Sequence, residues 1–212
     1  MWAALKSPLL MGNDLRTLSP SSLTILNNPA MIAVNQDSVG RSVARIRRDL
    51  NVAKDKYGIS EIHVWSGPLY GGDQLVVFLN VCGEDREVSA SLAEIFFHDG
   101  PEGSAPQVKD TWEIYDLWGN RMDATVAKKI LDASADDAGK ILREIGWYNS
   151  TALPYEEGLK KRDPRLLGKK IGGVVSNGGT MSTRVKMHSV EIFRLSRVEN
   201  VHKSKVHFKQ EL

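Results

Sequence analysis

Metal-binding and nucleophilic residue types are few in this chain and widely spaced. The one cysteine, Cys82, excludes an internal disulfide and a multi-cysteine zinc site. We expect Cys82 to be a buried structural thiol, because a reactive cysteine needs positively charged neighbours. The histidines lack the HExxH and His-x3-His spacings of zinc ligands; they are His63, His98, His188, His202 and His207. We therefore predict no metal site and no bound cofactor.

Carboxylates are plentiful, yet few occupy positions that suggest catalysis. Asp14 follows residues 9–12, which we predict to be a buried strand of a parallel sheet. Barrel enzymes place functional residues at such strand ends, so Asp14 is a candidate substrate contact, with a cap or loop hydrogen bond as the alternative. Asp136 and Asp137 fall in the first turn of a predicted helix, where they favour its dipole. Because no Ser/His/Asp set and no phosphate-binding glycine loop is recognisable, we predict no catalytic residue.

The N-terminal segment carries core-type residues from position 2 onward. Residues 1–6 are predicted to form the last turns of a helix that precedes the strand at 9–12. Ser19-Pro20 and Asn28-Pro29 each combine an N-cap residue with proline at the first helical position, which predicts two short helices in tandem. This segment is either a short helical region packed on the rest of the chain or part of a domain that begins earlier, and both interpretations stay open.

Beyond about residue 40 the pattern changes to short strands, predicted at 62–65, 75–81, 86–92, 112–118, 181–187 and 190–195. Short strands without βα periodicity indicate an antiparallel sandwich. The basic cluster within residues 41–48 is interpreted as a solvated connector, and Ser134 is predicted to cap a helix. Residues 148–179, rich in Pro, Gly, Lys and Asn, are expected to form a surface excursion.

The composition is that of an ordinary globular protein. The chain has 212 residues, 28 Lys+Arg against 26 Asp+Glu, and 42% hydrophobic residues. These values argue against an intrinsically disordered chain and against a nucleic-acid binder, which should carry a concentrated basic face. No apolar stretch approaches the roughly 18 residues of a membrane span. One or two domains fit this length, which is too short for a complete (β/α)₈ barrel of about 250 residues.

Two short motifs concern cellular processing. Asn149-Ser150-Thr151 is a candidate N-glycosylation sequon, and it lies within the predicted excursion. The last four residues, KQEL at 209–212, differ by one residue from the KDEL retention signal. Chance resemblance is the other interpretation of this C-terminus.

Several runs of this sequence resemble one family. WAALKSPLLMGNDLR at residues 2–16, followed by NQD at 35–37, resembles the end of the barrel of fungal-type α-galactosidases (melibiases) and α-N-acetylgalactosaminidases. The runs VWSGPL at 64–69, YDLW at 115–118 and HSVEI at 188–192 are similar to that family's C-terminal β-sandwich. Residues 148–151, 157–159 and 165–172 resemble an excursion of fungal secreted members. Two departures are Ser38, where the family usually has proline, and the unexpected Cys82.

The resemblance implies an α/β plus all-β chain. Residues 1–40 would be the last βα unit of a (β/α)₈ barrel, and residues 41–196 an antiparallel β-sandwich with a surface excursion at about 132–179. Residues 197–212 would be a polar tail. The family removes terminal α-linked galactose with retention, which needs two carboxylates about 5–5.5 Å apart. The family's KYDN and RxxxD motifs supply them; KYDN is absent from this sequence, and RxxxD occurs only at residues 45–49, within the basic cluster beyond the barrel-like segment.

We therefore expect a glycosidase fragment that is inactive alone, although its family is enzymatic. The resemblance implies α-galactoside substrates for the full-length enzyme, a secreted or secretory-pathway glycoprotein, and no nucleic-acid or membrane partner. The alternative is a non-catalytic carbohydrate-binding or structural β-sandwich module. In that case Trp65, Trp112 and Trp118 are either a sugar-stacking platform or core residues.

The apolar residues at the N-terminus are expected to lack packing partners, because one strand cannot close a barrel. These residues are Trp2, Leu5, Leu9, Leu10 and Met11. Unpartnered apolar surface favours association. A chain that begins near residue 40 should therefore be more soluble than the whole chain.

Overall fold

The computed structural model describes residues 1–97, 105–176 and 178–198, with the backbone alone at 173–175. The strands of the described part are β1 (Ala44–Asp49), β2 (Ile62–Pro68), β3 (Gln74–Asn80), β4 (Arg86–Ser91), β5 (Thr111–Asp116), β6 (Lys169–Ser176), β7 (Thr180–Val185) and β8 (Ser189–Arg197). Its α-helices are α1 (Pro20–Leu26), α2 (Pro29–Asn35), α3 (Leu92–Ile95), α4 (Ala124–Asp132), α5 (Ala135–Glu144), α6 (Tyr155–Lys160) and α7 (Pro164–Leu167). No helix in these ranges is long and apolar enough to cross a bilayer.

The strands form two antiparallel sheets. The larger sheet has the order β1-β2-β3-β8-β5-β6, and the smaller one pairs β4 with β7. The last strand, β8, lies in the middle of the larger sheet, with Gln74 opposite Leu195 and Ile114 also opposite Leu195 from the other side. Buried side chains from both sheets meet in one core, which includes Phe78, Val88, Met181 and Phe193. The prediction of an antiparallel β-sandwich is confirmed.

The N-terminal helices cover the other face of the larger sheet. Ala30 and Val34 of α2 are completely buried against Leu75, Val77 and Ile192 of the sheet. The larger sheet is therefore sealed on both faces, by β4 and β7 on one side and by helices on the other. A chain that begins near residue 40 would expose this second apolar face. The structure thus argues against the expected gain in solubility on truncation.

Both predicted helix starts are confirmed. The Ser19 hydroxyl accepts the Ser22 N–H at 3.1 Å, and Pro20 occupies the first position of α1. The Asn28 side chain accepts the Ala30 N–H at 3.0 Å and donates to the Leu117 carbonyl at 2.9 Å. Asn28 is completely buried, so this cap also fastens α2 to the sandwich. The predicted cap Ser134 likewise begins α5, accepting the Asp137 N–H.

The predicted strand at residues 9–12 does not form. These residues have no strand pairing in the structure, and the exposed fractions of Leu9, Leu10 and Met11 are 41%, 84% and 52%. The physical reason is that a buried parallel strand needs hydrogen-bonded neighbours, and no described segment lies alongside it. Residues 1–6 form a turn in which Leu5 donates to the Met1 carbonyl.

Two segments expected to be irregular are ordered parts of the fold. The basic cluster is edge strand β1, and its arginines have partners: Arg45 lies over the Trp65 ring at 5.6 Å, and Arg47 pairs with Glu94 at 2.7 Å. Residues 148–179 contain α6, α7 and edge strand β6, which pairs with β5. Of the predicted tail, residues 199–212, including KQEL, lie outside the described residues.

Candidate functional site

Asp14 lies in an exposed loop, where its carboxylate is held by Arg16. One oxygen accepts the Arg16 backbone N–H and its Nε–H, both at 3.0 Å, and the other accepts from Nη2 at 2.9 Å. The bond from the Arg16 side chain holds the pKa of Asp14 below its usual value. In this structure Asp14 caps the short turn Leu15–Thr17. It therefore makes the cap and loop hydrogen bonds that were the alternative to a substrate contact.

Asn149, the sequon residue, is exposed after the end of α5. Its side-chain oxygen accepts the N–H groups of Thr151 and Ala152 at 3.0 and 3.3 Å. The side chains of Asp14 and Asn149 thus form hydrogen bonds only with residues two or three positions further along the chain, among the residues that the structure describes. The two candidate residues therefore do not form a common site.

The NQD run fastens the N-terminal segment to the sandwich. Asn35 donates from its side chain to the Ser7 carbonyl at 2.8 Å. The buried Asp37 carboxylate accepts the Tyr70 N–H with both oxygens at 3.0 Å, and Tyr70 belongs to the turn between β2 and β3. Lys6 donates to the carbonyl of Val34. These bonds give a structural reason for this motif, independent of any bound substrate.

One group of apolar side chains at the N-terminus is exposed, and we call it the N-terminal apolar surface. The exposed fractions run from 36% for Leu5 to 84% for Leu10. It consists of Trp2, Leu5, Leu9, Leu10, Met11, Leu15, Ile25 and Leu26. The expectation that the first five of these residues lack packing partners agrees with their exposure. Exposed apolar groups of this size are typical of surfaces that contact another protein or domain.

A groove of about 550 Å³ opens between the two sheets. Its apolar floor includes Phe193, and its polar lining includes Asp116, Glu191 and hydroxyl groups of β7. Burial raises the pKa of Glu191, and the nearby charge of Asp116 raises it further. Asp116 itself accepts the Trp118 N–H at 2.8 Å and so holds the turn after β5. The groove can form hydrogen bonds with a polar ligand, whereas Asp116 already has a structural role.

A buried ion pair lies on the helix-covered face of the larger sheet. The side chains of Asp73 and Arg194 are 2% and 1% exposed, and Arg194 Nη1 lies 3.0 Å from Asp73 Oδ2. Arg162, at the end of α6, approaches the same carboxylate at 3.4 Å and donates to the Ser196 hydroxyl at 2.5 Å. One carboxylate thus joins the β2–β3 turn, strand β8 and the end of α6.

The neighbours of Glu61 strongly lower the pKa of its carboxyl group. Hydrogen bonds from Arg48 and His63 lower it from 4.5 to about 2. Because the folded pKa is depressed, the stabilisation is complete above about pH 4.5 and is lost as the pH falls towards 2. Between pH 4.5 and 2, the free energy of unfolding of Glu61→Gln should therefore decrease less than that of the parent chain.

Urea unfolding of the two proteins across that pH range measures this effect. Glu87→Gln is the control, since Glu87 is exposed and forms no ion pair within the described residues. If the free energy of unfolding changed with pH in the same way for the parent chain and for Glu61→Gln, the hydrogen bonds to Glu61 would not contribute to the acid-dependent stability.

Comparison with known proteins decides the family. The family described as "Alpha galactosidase C-terminal beta sandwich domain" matches residues 60–137, and "Alpha galactosidase A" matches residues 1–37. An α-galactosidase of Saccharomyces mikatae is 43% identical over 197 residues, and α-galactosidase 2 of Saccharomyces cerevisiae is 42% identical over 195. The solved α-galactosidase MEL1 of S. cerevisiae matches 93% of the chain with a TM-score of 0.83 and 39% identity.

The chain belongs to the α-galactosidase family. It spans 40% of the length of these two curated relatives and 42% of the solved MEL1 chain. One of the two matched families is the C-terminal β-sandwich of α-galactosidases. The resemblance identified from the WAALKSPLLMGNDLR and NQD runs is confirmed, together with the fold class that it implied.

The tryptophans Trp65, Trp112 and Trp118 do not form a sugar-stacking platform. Trp112 is 1% exposed and belongs to the core between the sheets. Trp65 and Trp118 pack on the opposite face of the larger sheet, beside α2. The interpretation of Trp112 as a core residue is confirmed, and the platform is wrong because the three rings lie on two faces.

Sequence reasoning missed the groove and the buried ion pair. Their signal in the sequence is the presence of two charged residues, Glu191 and Arg194, among the apolar residues 190–195 of β8. Cys82 is buried and its thiol donates to the Glu84 carbonyl at 3.3 Å, as a structural thiol should. Among the described residues, no three histidine, cysteine, aspartate or glutamate side chains gather in a metal-binding cluster.

Proposed function

We propose that this chain is the C-terminal part of a retaining α-galactosidase that removes terminal α-linked galactose from oligosaccharides. The observation that carries this proposal is 43% identity to an α-galactosidase over 93% of the chain. Residues 1–40 then belong to the catalytic barrel, residues 41–196 form the sandwich with its excursion at about 132–179, and residues 197–212 are a tail. Asp14 would lie near the substrate in the whole protein.

The substrates of the whole protein are proposed to be α-galactosides. A solved α-galactosidase of S. cerevisiae contains raffinose, and it matches this chain with a TM-score of 0.84 at 39% identity. We extend that class of substrate to the protein that contains this chain, in the secretory pathway and without a nucleic-acid or membrane partner. Discrimination between galactose and N-acetylgalactosamine would depend on parts of the barrel outside this chain.

This chain alone is proposed to be inactive. Retaining hydrolysis needs a nucleophilic carboxylate and an acid/base carboxyl about 5–5.5 Å apart. Of the motifs that carry them in the family, KYDN does not occur in the sequence, and the one RxxxD pattern, residues 45–49, lies on strand β1 of the sandwich. The N-terminal apolar surface would then contact the catalytic barrel, which explains why core-type residues such as Leu10 are exposed here.

A chimera tests the proposal. This chain replaces the matched C-terminal part of S. cerevisiae α-galactosidase 2, and release of nitrophenol from an aryl α-galactoside is measured for the chimera and for this chain alone. We expect hydrolysis by the chimera and none by the chain alone. Activity of the pure chain would overturn its predicted inactivity, and a folded but inactive chimera would overturn the functional assignment.

A matched pair of leucines tests the contact surface in the same chimera. Leu10 is 84% exposed in the N-terminal apolar surface, whereas Leu50 is 56% exposed after β1. We expect Leu10→Ser to lower the yield of active, folded chimera and Leu50→Ser to leave it unchanged. Equal yields for the two variants would show that this surface does not contact the barrel.

A further inference from the structure

A second cavity, of about 310 Å³, lies immediately before the sequon. Trp147 and Tyr148 line it together with Asn120, Arg121 and Arg165. The cavity is formed where the chain leaves α5 and passes beside α7 and the turn Trp118–Asn120. Its volume is at the lower end of the about 300–1,000 Å³ of small-ligand pockets. One sugar ring is a ligand of suitable size.

The lining combines a partly exposed aromatic ring with unused polar groups. Trp147 is half-buried and its side chain has no hydrogen-bond partner within the described residues. The Arg121 guanidinium lies over the Trp118 ring at 5.2 Å and donates from Nε to the Trp118 carbonyl at 3.3 Å, whereas its terminal nitrogens make no hydrogen bond to the part of the chain that the structure describes. Asn120 donates from Nδ2 to two carbonyls of α7, which leaves its Oδ1 as an acceptor.

These groups suit a neutral, polar ring with one apolar face. An aromatic side chain offers a broad apolar surface for the C–H face of a sugar. The free N–H groups of Arg121 can donate to an acetamido carbonyl, and Asn120 Oδ1 can accept from a hydroxyl. Arg165 is already occupied, because it pairs with Asp163 at 2.6 Å and donates from Nη1 to the Gly146 carbonyl at 3.1 Å.

The sequon places a possible attachment point two residues from Trp147. Asn149 is exposed, and its Oδ1 is engaged by Thr151 and Ala152, whereas its Nδ2 makes no hydrogen bond to the described residues. Thr151 completes the Asn-x-Thr pattern. A sugar attached here is tethered beside the cavity, so its effective concentration there is high.

We propose that Asn149 carries an N-linked glycan whose first N-acetylhexosamine packs against Trp147 in this cavity. Attachment forms a bond between Asn149 Nδ2 and C1 of that sugar. The bond from C1 to the diphosphate of a polyisoprenyl-linked oligosaccharide donor breaks, and the diphosphate leaves with the electron pair. Nδ2 loses one proton to a base of the transferase, so no oxidant or reductant is needed. The bound sugar then stabilises the segment between α5 and α6.

The test compares thermal unfolding of the full chain with and without sugar in two backgrounds. The chain is secreted from a eukaryotic host as the parent, Thr151→Ala, Trp147→Leu and the double variant. Mass spectrometry identifies sugar on Asn149. We expect it in the parent and in Trp147→Leu, and we expect the glycosylated parent to melt about 2–4 °C above Thr151→Ala. In the Trp147→Leu background the glycan should give no such increase.

Enzymatic trimming to a single N-acetylhexosamine separates the first sugar from the rest of the glycan. The trimmed parent should keep the whole increase in melting temperature. Trp2→Ala is the control, because Trp2 is 71% exposed and does not line the cavity, so the substitution should leave the increase intact. An unmodified Asn149, an increase that persists in Trp147→Leu, or an increase lost on trimming would each overturn the proposal. If Trp147→Leu does not fold, the proposal is decided by the melting temperature of the trimmed parent and by whether Asn149 carries sugar.

Discussion

Replacing Asp73 with asparagine is expected to lower the free energy of unfolding by about 3–5 kcal/mol. The substitution keeps the shape of the side chain but removes the charge that faces Arg194, which is 1% exposed. A guanidinium left in this position has neither water nor a carboxylate to compensate its charge. Urea unfolding followed by circular dichroism measures the change.

Two comparisons separate burial from charge pairing. Asp132→Asn removes an exposed partner of Lys128 in α4 and should cost no more than about 0.5 kcal/mol. Adding Arg194→Met to Asp73→Asn removes the uncompensated charge and should recover part of the lost stability. Equal, small effects of Asp73→Asn and Asp132→Asn would show that the buried pair does not hold the fold.

Trp112→Ala should destabilise the chain by about 3–5 kcal/mol. The ring lies 5.0 Å from that of Phe96 between the sheets, and its Nε1 donates to the Gln107 carbonyl at 3.0 Å. Alanine leaves a cavity in the core and removes the indole hydrogen bond, although the Gln107 carbonyl still accepts the Asp110 N–H at 3.2 Å. The change is measured by the shift in the midpoint of denaturant unfolding.

Trp2→Ala is the matched control for this substitution. Trp2 is 71% exposed, so the same change of residue should alter the free energy of unfolding by less than about 0.5 kcal/mol. If Trp112→Ala were as mild as Trp2→Ala and abolished binding to a glycan array instead, the sandwich would be a sugar-binding module and Trp112 part of its site.

Local signals predicted much of the fold. Ser19-Pro20 and Asn28-Pro29 specified their helices, because a cap and a proline act within one turn. Strand β1 was missed because its arginines resemble a solvated connector. Charged residues are common on edge strands, where they oppose pairing with another chain, and here they also reach Trp65 and Glu94.

The candidate sites were harder to predict, because their residues meet only through the tertiary fold. Asp73 and Arg194 are 121 positions apart, and the groove joins β7 to the far strands β5 and β8. The sequence does place Asn149 two positions after Trp147, but the cavity beside them also needs Asn120 and Arg165. Residue types were visible in the sequence, whereas the distances between them were not.

The central place of β8 has a consequence for synthesis on the ribosome. Strands β3 and β5 pair with β8 and not with each other, although both are made long before it. Until residues 189–197 leave the ribosome, β1–β3 and β5–β6 are separate pieces, each with an unpaired edge and apolar side chains. Such edges are prone to association while the chain grows. Exposure of these edges therefore ends only when β8 is released.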